Sequence, residues 1–361
     1  NLRPVGAGFL LQPTGLSVLK NMGLEAAVAQ CAAPISRLYG ENHQGKRIMD
    51  MCYADWRVDA QGWGVQRAAL FDTLHAAMPD TVTRHTNAHI VALDAQRGTL
   101  RLDTGEEHGE FAAMIVCDGS HSQLRTTLFG ARCAPLYPWG AWWCLVPQAG
   151  WIQPHSLQQR YQLAHTMTGL VPVGHLPHQS ANDDQLCWFW SMPAAQAPTA
   201  ESWHTVLQRL KTLWPDAYAH MSALPARTFT HSTYRHVRLS RPWQGRVLLL
   251  GDAAHGMSPQ LGQGVNLALL DAQALGQTLG AARTQVPVRW QVNTYVQRRG
   301  HIAWYRFFSH WLTPQFQSNH HWLAWLRDRC FYAFSRLPWV STATLRVLTG
   351  IFGLRQARKP F

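Results

Sequence analysis

One stretch, Gly245–Leu279, constrains the fold of this chain more than any other. Its residues Val247–Leu250 form a short, uninterrupted apolar run, which is typical of a strand buried in a parallel sheet. From Asn266 onwards the sequence is apolar around much of a helical circumference, which predicts a buried helix. A loop containing Gly262 and Gly264 joins the two. The stretch therefore predicts a strand–loop–helix unit of an α/β fold, with its loop at a sheet edge where ligands bind.

The loop has the composition of a ligand-binding turn. Gly262 and Gly264 allow the backbone to approach a flat or anionic ligand, and the N–H groups that begin a helix lack an internal acceptor. Asp252, at the carboxyl end of the strand, can accept hydrogen bonds from ribose-like hydroxyls. An ordinary turn with a capping aspartate has the same glycine spacing, so the glycines alone do not identify a ligand.

Two other segments carry similar signals. Met114–Cys117 is a second short apolar run, and it ends at Asp118-Gly119 as the first ends at Gly251-Asp252. Arg67 precedes an amphipathic helix, where a guanidinium can bind a phosphate or ribityl oxygen through two hydrogen bonds. A capped turn and a solvated surface arginine are the alternatives for these two segments.

In combination, the motifs resemble those of the group A flavoprotein monooxygenases, the aromatic hydroxylase family that includes the ubiquinone-biosynthesis hydroxylases. Gly251–His255, Pro259 and Gly262–Asn266 resemble the family's second flavin motif, with Asp271 at the position of its acidic helix residue. Asp118–Arg125 resembles its D-G motif. The resemblance implies that the FAD-binding residues are Arg67, Asp118, Gly119, Arg125, Gly251, Asp252, Ala253, Pro259, Gly262, Gln263, Gly264, Val265 and Asn266.

The resemblance also implies a fold class and a domain organisation. The class is α/β, with a Rossmann-like FAD-binding domain interleaved with an antiparallel-sheet substrate domain and followed by C-terminal helices. The FAD-binding domain is predicted at 1–33, 66–133 and 244–282, the substrate domain at 34–65 and 134–243, and a basic helical region at 283–361. Family members open with a βαβ unit that carries a G-x-G-x-x-G turn for the ADP moiety, and we expect that unit to be missing from this sequence.

The activity implied by the resemblance is FAD-dependent monooxygenation with NADPH or NADH and O2. The product is a hydroxylated or epoxidised aromatic or otherwise electron-rich small molecule, formed through a flavin C4a-hydroperoxide. Because the flavin carries this chemistry, no catalytic side chain is assigned. His255 is a candidate acid–base residue by its residue type, but the resemblance places it near the cofactor phosphates, so no proton transfer is assigned to it.

Residues 138–193 are rich in tryptophan and β-branched residues, which favours an antiparallel sheet with one face over a ligand. The predicted substrate pocket comprises Trp142, Trp188, Trp190 and Pro259, and strand register decides which tryptophans face it.

The segment Trp188–Pro193 is also close to a motif of flavin-dependent halogenases, in which Lys46 would be the catalytic lysine. Halogenases carry a serine pair where Gly262–Gly264 stands, which favours a hydroxylase. A halogenase or reductase of the same superfamily, or a non-catalytic relative with a partner-binding tail, stays an alternative.

The positive charge of the chain lies at its C-terminal end. Residues 283–361 contain twelve Arg or Lys and one acid, Asp328, out of a net charge of +12 for the chain. Trp322, Leu326, Cys330 and Ala333 recur at helical spacing and predict an amphipathic helix. Such a helix can contact an anionic membrane surface peripherally, or pack on the flavin domain or a second subunit, and we favour packing. The basic residues match no nucleic-acid-binding module.

The remaining composition excludes several classes of protein. Seven cysteines without close pairs argue against a disulfide framework or a C-x-x-C metal site, and predict a reducing, cytoplasmic location. Nineteen histidines include a single adjacent pair, His320-His321, so no metal site is predicted. No run of eighteen apolar residues occurs, which argues against a membrane span.

Overall fold

The computed structural model describes residues 6–280 and 289–354. The strands are β1 (Gly8–Leu11), β2 (Ala33–Ile35), β3 (Arg37–Asn42), β4 (Arg47–Cys52), β5 (Gly62–Gln66), β6 (Ile90–Asp94), β7 (Thr99–Leu102), β8 (Glu107–His108), β9 (Met114–Val116), β10 (Leu136–Pro147), β11 (Ser156–Gln162), β12 (Thr166–Gly174), β13 (Gln185–Pro193), β14 (Thr230–Arg235), β15 (Trp243–Gln244) and β16 (Val247–Leu249). The helices are α1 (Pro13–Asn21), α2 (Glu25–Ala29), α3 (Arg67–Ala76), α4 (Gln123–Phe129), α5 (Ser202–Leu213), α6 (Pro215–Ser222), α7 (Asp252–His255), α8 (Gly264–Gly280), α9 (Trp290–Phe316), α10 (His321–Ser335) and α11 (Pro338–Leu348).

The two apolar runs form neighbouring parallel strands, as predicted. β16 pairs with β9 in parallel, from Val247 opposite Met114 to Leu249 opposite Val116, and β15 adds an antiparallel edge. These side chains are buried in one apolar cluster. Because parallel strands end at the same edge of a sheet, the segments that follow β9 and β16 are brought together there.

The tryptophan-rich segments form a seven-stranded sheet in the order β14-β10-β13-β12-β11-β3-β4. Its strands pair antiparallel except β11 and β3, which are parallel. One face, here called the outer face, is covered by α5 and α6. The opposite face, here called the inner face, packs against Leu10 of β1 and Leu345 and Leu348 of α11.

A three-stranded sheet, β1-β5-β2, packs tightly against β12. At the point of closest approach, a Cβ on Gly64 would overlap the carbonyl oxygen of Pro172, and a Cβ on Gly8 would overlap Val173. Only glycine fits at these two positions, because the backbones of the two sheets are nearly in contact. β1 and β5 thereby connect α1 and α8 to the inner face.

The C-terminal region is helical, and one side of it packs on the large sheet. α10 is fixed to the β3–β4 hairpin by a hydrogen bond from Asn42 Nδ2 to Asp328 Oδ2 (2.8 Å) and one from Arg47 Nη1 to the hydroxyl of Tyr332 (3.0 Å). Arg327 is fully buried, donates to the carbonyls of Leu163 and Gln315, and lies over the Tyr161 ring. The predicted amphipathic helix is thus present as α10.

The predicted fold class is confirmed: an α/β unit, an antiparallel-rich sheet and C-terminal helices form one molecule. The predicted domain boundaries stay a prediction. The predicted basic region, 283–361, lies partly outside the described residues. Among the helices in the described ranges, none combines the length and apolarity needed to cross a bilayer.

Candidate functional site

The two aspartate–glycine motifs lie side by side at the shared edge of β9 and β16. The amide of Leu250 donates to the carbonyl of Val116 (3.1 Å), so Cys117-Asp118 and Gly251-Asp252 leave the sheet next to each other. Gly119 has φ +87° and Gly251 has φ +56°, conformations that favour glycine. A Cβ on Gly119 would meet no atom within 4 Å, so this turn faces open space. The carboxylates of Asp118 and Asp252 are exposed at the same edge.

The loop before α8 presents a row of free backbone donors. Gly262 has φ +60°, and a Cβ there would meet no atom within 4 Å. The amides of Gly264, Val265 and Asn266 have no acceptor within the described chain, since they form the first turn of the 17-residue α8. The side chain of Asp252 lies beside them, because a Cβ on Gly264 would be 3.7 Å from its Oδ1. Donors and a carboxylate acceptor therefore share one opening.

Asn266 fixes this loop to β1 instead of facing the opening. Its side chain is fully buried, accepts from the amide of Gln12 (2.9 Å), and donates to the carbonyls of Leu10 (3.2 Å) and Gly262 (3.1 Å). A side chain at Gly15 would overlap the Asn266 amide oxygen, which explains the glycine there. The predicted cofactor role of Asn266 is therefore restricted to its backbone amide, while its side chain positions the loop.

Arg125 joins the two aspartate–glycine motifs. Its guanidinium is buried and donates to the carbonyls of Ala253 (3.0 Å) and Ser120 (2.7 Å). Burial lowers the pKa of this guanidinium from its ordinary value. The Ser122 hydroxyl caps α4 by accepting from the Arg125 amide (2.9 Å). These bonds give Arg125 a positioning role, and direct contact with a cofactor stays a prediction.

The other predicted residues divide into open and enclosed positions. Arg67, at the first position of α3, and Pro259 are exposed. The Ala253 side chain is buried, and the Gln263 side chain is buried and donates to the carbonyl of Leu348 at the end of α11 (2.6 Å). The side chains of Ala253 and Gln263 therefore do not face the opening. Gln263 instead connects the loop to the C-terminal helices.

A buried ionic network supports the turn behind the loop. Asp271 accepts from the Gly251 amide (3.2 Å) and His255 Nε2 (2.6 Å) through Oδ2, and from Arg298 Nε (3.0 Å) through Oδ1. Burial alone would raise the pKa of Asp271, but His255 and Arg298 outweigh it and hold that pKa below its ordinary value. Asp271 therefore stays ionised and fixes Gly251 at the end of β16.

The network continues to the C-terminal end of the chain. Arg298 Nη1 donates to His301 Nδ1 (2.7 Å), so His301 carries its proton on Nε2 and donates it to the carbonyl of Gly350 (2.7 Å). Burial, and then the adjacent Arg298, lower the pKa of His301 to about 3. Sequence reasoning missed Arg298 and His301. Their spacing of three on one helix face was the available signal, but Asp271 lies on another helix.

The buried neutral histidine makes stability pH-dependent. In the unfolded chain His301 takes a proton below about pH 6.5, whereas the folded protein resists protonation. Its contribution to stability is therefore fully present above that pH and is lost progressively as the pH falls towards the folded-state pKa of about 3. His301→Gln, which keeps an acceptor and a donor, is expected to flatten this slope in urea denaturation between pH 7 and pH 4. The exposed control His43→Gln is expected to leave it unchanged, and equal slopes in both variants would refute the assignment.

The three tryptophans predicted to line a substrate pocket lie on the other side of the sheet. Trp142, Trp188 and Trp190 are buried on the outer face, where Trp188 meets Trp203 of α5 edge to face (5.4 Å between centroids). Trp188 Nε1 donates to the Thr168 hydroxyl (2.9 Å). These residues are core, and the prediction is corrected. Its physical reason is register: consecutive side chains alternate between faces, and the even-numbered positions point outward.

The inner face carries the neighbouring odd-numbered side chains. Trp143 pairs with Phe189, Leu145 with Cys187, and Val171 with Cys187 across the central strands. The inner positions of β10, β11, β12 and β13 contain no Asp, Glu, Lys, Arg or His. The charged residues of β3 and β11 form ion pairs on the outer face, such as Arg160 with Glu41. The inner face is thus apolar or neutral throughout these strands.

The residues that suggested a halogenase, Lys46 and the tryptophans of Trp188–Pro193, do not form a common site in the described structure. Lys46 is exposed in the turn of the β3–β4 hairpin, where its amide donates to the Asn42 side chain (2.9 Å). The tryptophans of Trp188–Pro193 point into the core beneath α5. No contact of these tryptophans connects them to Lys46 or to the opening in the described structure.

Comparison with known proteins agrees with this geometry. Residues 5–307 match the family model described as FAD binding domain. The chain is 28% identical over 295 residues to the 3-amino-4-hydroxybenzoate 2-monooxygenase PtnB3 of Streptomyces platensis, covering 77% of this chain and 70% of the relative. It is 26% identical over 293 residues to the FAD-dependent urate hydroxylase of Klebsiella pneumoniae, covering 78% and 73%.

Solved structures share the fold. Klebsiella pneumoniae HpxO complexed with FAD and uric acid superposes with a TM-score of 0.74 at 19% identity, covering 97% of this chain and 89% of that one. The structure of pqsL, a probable FAD-dependent monooxygenase from Pseudomonas aeruginosa, also gives 0.74, at 20% identity, covering 92% and 90%. The chain belongs to the group A flavin monooxygenase family and is an FAD-dependent oxidoreductase.

Proposed function

We propose that this protein hydroxylates or epoxidises an apolar aromatic or otherwise electron-rich small molecule, with NADPH or NADH as reductant and O2 as oxygen source. Relatives are named for action on 3-amino-4-hydroxybenzoate, urate and 6-hydroxynicotinate, all of which are aromatic rings. The observation that carries the proposal is the connection between the α8 loop and the uncharged inner face. Asn266 donates to Leu10, and Gln263 to Leu348, and both acceptors belong to the apolar cluster on that face.

The residues at the opening fit FAD. Three unpaired amides at the start of α8 match an electron-rich, anionic edge of a reduced ring, and the helix dipole adds to their effect. The Asp252 carboxylate beside them can accept from ribityl hydroxyls. The open turn at Gly119 leaves room for a ligand to lie against the backbone. Bound FAD supplies the redox chemistry that activates O2.

The protein's own contribution is placement and exclusion of water. Gly264, Val265 and Asn266 would hold the ring through their amides, and Asp252 would hold the chain that carries it. The aliphatic and aromatic side chains of the inner face keep water from the reacting atoms. Because the inner positions of β10, β11, β12 and β13 hold no Asp, Glu, Lys, Arg or His, we propose that the substrate ring is activated by its own substituents instead of by a carboxylate, lysine or histidine base.

The role of Asp252 is tested by Asp252→Ala in the full-length protein. Losing a charged acceptor for ligand hydroxyls is expected to weaken FAD binding by about tenfold or more, since hydrogen bonds to charged groups contribute about 1.5–3 kcal/mol. Quenching of flavin fluorescence measures the dissociation constant. Asp80→Ala, at an exposed position outside the site, is the matched control and should bind FAD as the wild type does. Unaltered affinity in Asp252→Ala would refute the ribityl assignment.

The reaction class is tested by NAD(P)H oxidation in the presence of two matched sets of aromatic compounds. Neutral, apolar phenols and heteroaromatics are expected to stimulate oxidation, whereas their carboxylated counterparts are expected to be poor, because the inner positions of β10, β11, β12 and β13 offer a carboxylate no cation. Halide-dependent product formation with externally reduced flavin would favour a halogenase. Saturation of a double bond without O2 consumption would favour a reductase. Stimulation only by carboxylated compounds would contradict the proposed substrate class.

A further inference from the structure

The outward side of α10 carries exposed tryptophans and arginines. Trp322 and Trp325 are 64% and 56% exposed, and Leu326 between the arginines and tryptophans is 40% exposed. Arg329 stacks over the Trp325 ring (4.0 Å to the centroid), and Arg336 lies two turns further along the same side. The opposite side of the helix packs on the sheet through Arg327 and Asp328. In an ordinary amphipathic helix the large apolar side chains are buried, whereas the solvent-exposed side of α10 carries both tryptophans and arginines.

A second exposed aromatic surface lies on α9. Trp304, Phe307 and Trp311 recur at steps of three and four, and each is about half exposed, at 46%, 57% and 53%. Trp311 stacks on Phe331 of α10 (5.8 Å), which joins the two helices. Exposed apolar surface on this scale marks a site of interaction with a membrane or another protein. We call the outward sides of α9 and α10 the aromatic–basic face.

The charge of this face selects its partner. Residues 289–354 contain eight arginines and one acid, Asp328, and that acid is bound by Arg327 and Asn42 on the inward side. Within the described structure, Arg329 and Arg336 have no carboxylate partner. A second copy of the chain would bring arginines against arginines, which is unfavourable. An anionic surface that also accommodates tryptophan side chains would match both the unpaired arginines and the exposed aromatic rings of this face.

We propose that the aromatic–basic face binds the surface of an anionic lipid bilayer. Tryptophan rings favour the headgroup region, where an apolar body and a polar N–H are both accommodated. Arginines at the same depth attract anionic headgroups. The proposed contact is peripheral, because it is made by side chains on the surface of α9 and α10.

Residues at and just beyond α11 connect the aromatic–basic face to the inner face of the sheet. Phe352, just beyond α11, packs edge to face on Trp304 (5.3 Å), while Leu345 and Leu348 of α11 lie in the apolar cluster of the inner face. A bilayer bound at this face would therefore lie close to the inner face, where we propose that an apolar substrate binds. This link rests on the proposed function, whereas lipid binding does not.

Sedimentation of the full-length protein with vesicles tests the proposal without an activity assay. Vesicles of phosphatidylcholine with phosphatidylglycerol are expected to carry the protein into the pellet at low salt, and pure phosphatidylcholine vesicles to carry much less. The double variant Arg329→Gln/Arg336→Gln is expected to bind anionic vesicles about 30-fold more weakly, from the attraction of two basic residues. Trp322→Ser/Trp325→Ser is expected to weaken binding by roughly tenfold or more.

The control Val58→Ser/Ile152→Ser removes exposed apolar side chains from other surfaces and is expected to bind as the wild type does. All variants should keep the wild-type melting temperature, since the changed side chains are exposed. Equal binding to neutral and anionic vesicles, binding to neither, or wild-type binding by the tryptophan and arginine variants would each overturn the proposal. Dimers that dissociate in Trp322→Ser/Trp325→Ser would assign the face to a second copy instead.

Discussion

An Asp271→Asn variant is expected to lose about 3–5 kcal/mol of folding free energy, because it leaves the buried Arg298 without its compensating charge. The same change removes the negative partner of His255 and weakens the acceptor of the Gly251 amide. The network sits directly behind the turn that presents Asp252. We therefore expect FAD affinity to fall together with stability.

Urea denaturation at pH 7 measures the loss. Asp72→Asn, an exposed aspartate on α3, is the control and is expected to change stability by less than about 0.5 kcal/mol. The paired change Asp271→Leu/Arg298→Met removes both charges and is expected to be more stable than Asp271→Asn. If Asp271→Asn behaved like the control, the ionic network would not support the site.

Trp188→Ala is expected to cost about 3–5 kcal/mol, since it opens a cavity in the core between the outer face and α5. The indole is fully buried and also donates to Thr168, whose hydroxyl loses that partner. The loss is a large fraction of the total stability of a domain. The milder Trp188→Phe keeps most of the volume and leaves enough folded protein for kinetics.

Kinetics then separate the two faces of β13. Trp188→Phe is expected to keep kcat/KM per folded molecule, whereas Phe189→Ala, the next residue along the strand, is expected to raise KM because Phe189 lies on the inner face, where we propose that the substrate binds. If Trp188→Phe raised KM and Phe189→Ala did not, the substrate would bind at the outer face of the sheet, and the proposed location would be wrong.

The ends of the two strands at this site could be predicted from the sequence, because the signals for them come from residues that are adjacent in the chain. Val247–Leu250 and Met114–Cys117 are short apolar runs that end at Asp-Gly or Gly-Asp pairs, and strands of this kind share an edge whenever they are parallel. The first turn of α8 could be predicted for the same reason. The first amides of a helix have no acceptor within it, so a sequence that predicts where a helix begins also predicts where unpaired amides lie.

The face on which a side chain packs, and the partner that it binds, could not be predicted in this way. Trp188 and Phe189 are equally apolar, and only the register of β13 with β10 and β12 decides which faces α5. Asn266 and Gln263 occupy motif positions, yet their side chains bind Leu10 and Leu348, more than 80 residues away in sequence. Such long-range partners leave no periodic signal in a single sequence.

The C-terminal helices show the same limit. The spacing of Trp322, Leu326 and Cys330 predicted an amphipathic helix, and an apolar stripe is usually the buried one. In α10, however, Trp322 is exposed, while Arg327 is buried over Tyr161. A buried arginine satisfied by backbone carbonyls and aromatic rings reverses the expected orientation, and only the three-dimensional partners reveal it.

The measurement that tests the central claim most directly is the fate of oxygen. The full-length protein with FAD, NAD(P)H and an apolar aromatic that stimulates NAD(P)H oxidation is incubated under ¹⁸O2, and the product is analysed by mass spectrometry. We expect one ¹⁸O atom in the product, with the second atom reduced to water. A product that forms without ¹⁸O, or that takes its oxygen from solvent, would contradict the assignment of this chain as a monooxygenase.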